Sequence, residues 1–209
     1  MSSGPADQGA VDAIVLAGGG GTRLGGTDKA AVTVGGRPML AHVLDAVAAA
    51  RRVVVVGPPT LDTRGAERVQ EDPPFGGPAA GLAAGLDHLG PGGDVPVLVL
   101  ACDLPLAGRI VPVLLEALDP VTDHSGCDAV AAVDADGRCQ YLLAVYRRPA
   151  LAAAVATLRA SGGLHGASMR RLVEQLDVRP VPDLTGAARD GDTWEDVAEL
   201  DTILTRRDS

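Results

Sequence analysis

Runs of Val, Ile, Leu and Ala recur along the chain at strand length: Ala13–Leu16, Val53–Val56, Val95–Ala101, Ala129–Val133 and Leu142–Tyr146, with a weaker run at Val178–Val181. They are apolar at successive positions rather than at alternate ones, the pattern of strands covered on both faces. Between them the spacing changes to i, i+3, i+4, i+7, at Leu40, Val43, Leu44 and Val47, at Val111, Leu114, Leu115 and Leu118, and at Met169, Leu172, Val173 and Leu176. Leu82, Leu86 and Leu89 repeat part of that stripe, and each stripe predicts a helix with one face on a core. Pro38, Pro78 and Pro149 stand where helices begin, a position that tolerates the missing N–H. Strand and helix alternate over the first two thirds, which predicts right-handed crossovers and one α/β domain. The expected fold is Rossmann-like, with three layers: a mostly parallel twisted sheet and helices on both faces. Its bounds are read as residues 13 to 205, after a flexible N-terminal segment over residues 1 to 12.

Composition narrows the function more than the fold. The chain is 46% hydrophobic but only 2% aromatic, so its core is built from Val, Leu and Ala. A formal net charge of −9 argues against nucleic acid as a partner, and an anionic substrate has to be held by local groups. Met1 to Asp12 carry neither the basic nor the apolar region of a secretory signal, and the apolar runs fall well short of the ~20 residues a bilayer span needs. A soluble, cytoplasmic protein without a membrane partner is expected. Cys102, Cys127 and Cys139 are odd in number and lack metal-ligand spacing, which fits a reducing compartment.

The richest chemistry lies in Leu16–Ala30, LAGGGGTRLGGTDKA. A strand running into Gly18, Gly19, Gly20 and Gly21 lets backbone N–H groups crowd around an anion, because no Cβ blocks the approach. Arg23 can pair with phosphate oxygens in a fork and Lys29 supplies a movable point charge. The spacing is not a Walker loop, since Lys29 is followed by Ala30 rather than a hydroxyl residue, and a GxGxxG match fails where Arg23 replaces the third glycine. A plain structural loop remains the alternative for the glycines alone. Asp103 closes the run Val97–Ala101 and precedes Pro105. A carboxylate at a strand end reads either as a turn aspartate or as a Mg²⁺ ligand, and the nearby phosphate-type loop favours the metal.

Taken in order, LAGGGGTRLGGTDKA, EDPPFGGPAAGL (Glu71–Leu82), LACDLPL (Leu100–Leu106), QYLLAVYRRPAL (Gln140–Leu151) and DGDTWEDVAEL (Asp190–Leu200) resemble the MobA-like nucleotidyltransferases. These are the molybdenum cofactor guanylyltransferases, within the wider superfamily of nucleotide-diphospho-sugar pyrophosphorylases. The resemblance runs from Ala13 to about Leu200. It implies the nucleotidyltransferase version of the fold and transfer of GMP from GTP to molybdopterin-bound molybdenum cofactor, with release of pyrophosphate. It also implies transient contact with cofactor-synthesis proteins or molybdoenzymes. Carried over by position, Leu16, Ala17, Gly18, Gly19, Gly21, Thr22 and Gly77 line the nucleotide site and Asp72 holds the nucleoside. Arg23, Lys29 and Asp103 are the catalytic set, with Mg²⁺ as cofactor on Asp103 and Asp192.

Two departures stand out. The loop after Val53–Val56 reads Gly57-Pro58-Pro59 where the family often has asparagine, and Asp190-Gly191-Asp192-Thr193-Trp194 replaces N-x-N-T-P. The two aspartates are read either as a second metal anchor or as an N-terminal helix cap before Glu195 and Asp196, the cap being favoured on dipole grounds. Gln140 and Tyr141 occupy the family's Q-P-L position and are expected on the second-substrate side. Arg147, Arg148, Arg170 and Arg171 are candidate contacts for the pterin phosphate or solvated helix surface. His42, His88, His124 and His165 lack metal spacing, and Cys102 reads as a buried, inert thiol. The competing functions are cytidylyl or other phosphate or sugar-phosphate nucleotidyl transfer on the same fold, and an inactive nucleotide sensor or cofactor chaperone.

Overall fold

A computed structural model of the chain describes residues 11–18, 29–118 and 126–206. Within these residues the strands are β1 (Asp12–Leu16), β2 (Thr33–Val34), β3 (Arg37–Pro38), β4 (Arg52–Val56), β5 (Glu67–Val69), β6 (Val97–Ala101), β7 (Ala129–Val133), β8 (Cys139–Tyr146) and β9 (Val178–Pro182). The helices are α1 (Met39–Ala46), α2 (Pro78–Leu89), α3 (Val111–Ala117), α4 (Arg148–Ala160), α5 (Met169–Val173) and α6 (Trp194–Thr205). Seven strands form one sheet in the order β5-β4-β1-β6-β8-β7-β9, while β2 and β3 form a separate hairpin. Every pairing in the large sheet is parallel except the two made by β8.

The sheet is apolar on both faces because successive side chains alternate between two cores. Ala13 and Val15 of β1 join Leu98, Leu100, Val43, Leu114 and Leu200 on one side. Ile14 turns the other way, with Val97, Val99, Leu82, Leu151 and Leu172. Helices α1, α3 and α6 therefore cover one face and α2, α4 and α5 the other, the expected three layers. Close packing of α2 on the sheet depends on Gly85, where a Cβ would lie 2.8 Å from Ile14 Cγ2 and 3.0 Å from Val56 Cγ2.

The reversal of β8 departs from the alternation read in the sequence. Its cause is the short connection Asp134–Arg138, which has no room for a crossover helix. Asp134 accepts hydrogen bonds from the backbone N–H of Asp136 and Arg138, both at 2.9 Å, and Gly137 takes φ +78°. That Asx turn folds β7 back into a hairpin. As a result Gln140 lies at the sheet edge that also carries Leu16 and Ala101, and Arg147 and Arg148 lie at the opposite edge. Helix starts follow the prolines, with Pro78 and Pro149 in the first turns of α2 and α4 and Pro38 as the N-cap of α1. No helix among the described residues is long and apolar enough to cross a membrane.

Candidate active site

The carboxyl ends of β1, β4 and β6 are laced together. Ala17 N donates to Val56 O at 2.7 Å, and Cys102 N donates to Leu16 O at 3.0 Å. Gly57, the residue after β4, comes so close that a Cβ there would sit 3.0 Å from Ala17 O and 2.6 Å from Leu61 Cδ1. The family's asparagine is thus replaced here by a tight backbone approach. Loops leaving this edge build the site, as expected for a doubly wound sheet.

Lys29 opens a short 3-10 turn, Lys29–Ala31, and extends its ammonium between two carboxylates. It donates to Asp103 Oδ2 at 3.0 Å and to Asp192 Oδ1. Their side chains are mostly buried, 18% exposed for Lys29, 17% for Asp103 and 28% for Asp192. Burial alone would push the lysine pKa down, but hydrogen bonds and charge from Asp192 and Asp103 outweigh it and hold the group above the ordinary lysine value. A third carboxylate, Asp190, joins this field. Desolvation first, then the charges of Asp192 and Asp103, push its pKa up to about 6, with Lys29 acting the other way.

The C-terminal segment reaches the strand ends through close contacts. Gly191 N donates to Asp103 O at 3.1 Å, and a Cβ on Gly191 would lie 2.7 Å from Met39 Sδ. The cap of α6 is Thr193, whose hydroxyl accepts from Asp196 N at 3.2 Å while Asp196 Oδ2 accepts from Thr193 N at 2.8 Å. This capping box corrects the expectation that Asp190 or Asp192 caps the helix: a neighbouring hydroxyl satisfies the end, and the Asp192 carboxylate turns to Lys29 instead.

The remaining predicted residues fall as follows. Leu16, Ala17 and Gly18 form the end of β1 and its exit. Gly77 takes φ +87° as the N-cap of α2, where a Cβ would meet Ala167 O at 3.4 Å. Asp72 is exposed. Its neighbour Glu71 is buried, and both its carboxylate oxygens lie 3.8 Å from where a Gly18 Cβ would be. Glu71 was missed because two adjacent acids cannot be told apart by composition; only the path out of β5 decides which one turns inward. Gly19, Gly21, Thr22 and Arg23 lie outside the described residues, as does His124. Among the described residues no group of three or more His, Cys, Asp or Glu side chains could hold a metal.

The hairpin Asp134–Arg138 and the C-terminal segment enclose a cavity of about 290 Å³, lined in part by Asp134, Arg138, Gln140, Arg189, Asp190 and Glu199. Gln140 Nε2 donates to Asp134 Oδ2 at 2.6 Å, which fixes the amide at the rim. Asp190 belongs both to this cavity and to the Lys29 cluster. The pair Arg147–Arg148 does not reach it. Arg147 Nε donates to Cys127 O at 2.8 Å and Arg148 pairs with Asp12 at the other edge, because the reversed β8 carries both away.

A family model described as MobA-like NTP transferase domain matches residues 13–180. The chain belongs to the MobA-like NTP transferase family. This MobA-like chain is 31% identical over 147 residues to the molybdenum cofactor guanylyltransferase of Shewanella sp. strain MR-4, covering 68% of the chain and 70% of that relative. Among solved structures it resembles the molybdopterin-guanine dinucleotide biosynthesis protein A of Archaeoglobus fulgidus, with a TM-score of 0.69, 23% identity and coverage of 94% and 100%. It also resembles the 2-C-methyl-D-erythritol 4-phosphate cytidylyltransferase of Thermus thermophilus, at TM-score 0.65, 20% identity and coverage of 92% and 98%. At these identities the two structures establish the nucleotidyltransferase fold that the MobA-like chain shares with both.

Proposed function

We propose that the protein is a Mg²⁺-dependent guanylyltransferase that moves GMP from GTP to molybdopterin-bound molybdenum cofactor and releases pyrophosphate. The observation that carries this reading is the ammonium of Lys29 held between Asp103 and Asp192 at the carboxyl edge of the sheet, where β1 leads into Gly18. In the reaction a terminal phosphate oxygen of the acceptor attacks the α-phosphorus of GTP. The new P–O bond forms as the bond to the bridging oxygen breaks, and its electron pair leaves with pyrophosphate. The attacking monoester is already ionised at neutral pH, so no side chain has to remove a proton. The protein's task is to position the two phosphates and offset charge.

Lys29 suits that task as a point charge that swings from its carboxylates to the α-phosphate region, with Arg23 on the remaining phosphates. Asp103 and Asp192 fit Mg²⁺, since both are hard oxygen donors and their carboxylates converge on one cation position. Those two residues would hold the ion, and when bound it supplies further neutralisation of the triphosphate. Two carboxylates plus substrate oxygens are what Mg²⁺ usually takes from a nucleotide site. Gly18 leaves open the space in front of the Glu71 carboxylate, an acceptor pair that matches the adjacent N1–H and 2-amino donors of guanine better than the edge of cytosine. The cavity beside Asp190 and Gln140 receives the acceptor.

Cytidylyl transfer is the second reading, on the strength of the Thermus structure's likeness. A nucleotide panel with and without molybdenum cofactor, followed by pyrophosphate release, separates the two. GTP turnover that depends on the cofactor is expected; equal use of CTP and GTP overturns the guanylyl assignment.

A further inference from the structure

The chain contains one phenylalanine and one tryptophan, and both are exposed rather than buried. Phe75 is 75% exposed and sits at φ +62°. For a bulky residue that conformation is unfavourable, because the Cβ crowds the backbone. An apolar ring kept in water by a disfavoured backbone works against both burial and local preference, and such outliers cluster at ligand sites.

The loop is held in this state from both sides. Phe75 N donates to Glu71 Oε1 at 3.0 Å, and Gly166 N donates to the carbonyl of Gly76 at 2.7 Å. Gly76 packs closely on the start of α2, where a Cβ would lie 2.8 Å from Ala80 Cβ. The carboxylate that holds Phe75 is the one facing Gly18, 3.8 Å from where a Cβ on that glycine would be. The backbone that carries the ring is therefore tethered to the carboxylate beside the exit of β1.

We propose that Phe75 is the stacking plate for the purine base of GTP, its ring covering the face of the base whose edge meets Glu71. This rests on the guanylyl-transfer reading for the identity of the base. Stacking needs a flat apolar face carried on a fixed backbone, and the Glu71 and Gly76 hydrogen bonds fix that backbone. A base–aromatic stack is lost when the ring is truncated, typically with a fall in affinity of about tenfold or more.

The test is calorimetric binding to the full-length protein with Mg²⁺, using GTP and ribose 5′-triphosphate, which has no base. Wild type is compared with Phe75→Ala, Phe75→Gly and Phe75→Tyr. Expected is a loss of about tenfold or more in GTP affinity for the alanine and glycine variants, no change for the base-free triphosphate, and near wild-type behaviour for tyrosine. Phe75→Gly should also raise Tm, because glycine accepts φ +62° without strain, so a weaker GTP complex cannot be put down to unfolding. A Phe75→Gly protein that binds GTP as tightly as wild type overturns the plate. Wild type that binds CTP in place of GTP overturns the guanylyl reading instead; the plate then stands if Phe75→Ala weakens CTP and falls if it does not. A wild type that binds neither overturns both.

Discussion

Strand β1 carries a charged cluster at each end, and the two differ in how completely they are satisfied. At the N-terminal end Asp12 is fully buried, accepting from Arg51 Nε at 3.0 Å and Nη2 at 2.7 Å and from Arg148. Arg148 also donates to Val95 O at 3.1 Å and Gly90 O at 2.9 Å. At the C-terminal end the balance is reversed: Asp103 and Asp192 hold Lys29, with Asp190 within reach of their charge, and the group is partly open to water. One cluster is closed and fixes the register of β1, β4 and α4. The other keeps surplus negative charge and stays partly open to water. The contrast teaches that charge by itself does not mark a site; incomplete neutralisation beside an open cavity does.

The sharpest way to break this contrast is Asp12→Asn, which leaves two guanidiniums facing a neutral amide in a buried place. We expect a loss of about 3–5 kcal/mol of stability, seen as a fall in Tm on the order of 10 °C, with kcat of the folded fraction unchanged. A fall in kcat at constant Tm would erase the distinction. Asp103→Asn should do the opposite. Pyrophosphate release at saturating Mg²⁺ should drop more than about a hundredfold, equivalent to ~3 kcal/mol of lost transition-state stabilisation, while Tm holds or rises as the carboxylate surplus is relieved. A variant keeping a tenth of the rate would remove Asp103 from the metal site.

Lys29→Ala sharpens the reading further by separating docking from catalysis. The expected result is a kcat lowered by roughly ten- to a hundredfold with a smaller change in GTP affinity, since the ammonium meets charge that develops during transfer. Gly18→Ala is smaller still. Its Cβ fits at ordinary contact distance from Glu71, so folding is kept, but kcat/KM for GTP should fall several-fold and the preference over CTP should narrow. Last comes the exposed pair beside the closed cluster. Hydrogen bonding from Arg52, against the opposing desolvation, holds Glu67 down at about 2 from its ordinary 4.5, with His88 helping. A carboxyl with a depressed folded-state pKa lends stability above 4.5 and loses it as pH falls toward 2. Denaturant titrations should show that acid slope flattened in Glu67→Gln.

The parallel part of the sheet was legible because doubly buried strands need uninterrupted apolar runs, and Ala13–Leu16, Val53–Val56 and Val97–Ala101 have them. The orientation of β8 was not, since an apolar run does not encode direction; the signal was in the turn residues Asp134 to Gly137. Lys29 and Asp103 could be found from their motifs, and the resemblance set Asp192 beside Asp103. The direct pairing of Asp192 with Lys29 could not be read, because it rests on Gly191 packing against Met39 and on Thr193 taking the cap. Asp12 looked like the end of a flexible tail, yet it is a buried residue of β1, and nothing in its neighbours announces partners at Arg51 and Arg148.

The pairing of Lys29 with Asp192 spans 163 positions of the chain. During synthesis, therefore, the parallel strands β1, β4, β5 and β6 emerge well before the last carboxylate of the site does. A growing chain can fold its parallel core and still lack the centre that would act on nucleotide. A chain that stops short of Asp192 lacks one of the two carboxylates that hold the Lys29 ammonium.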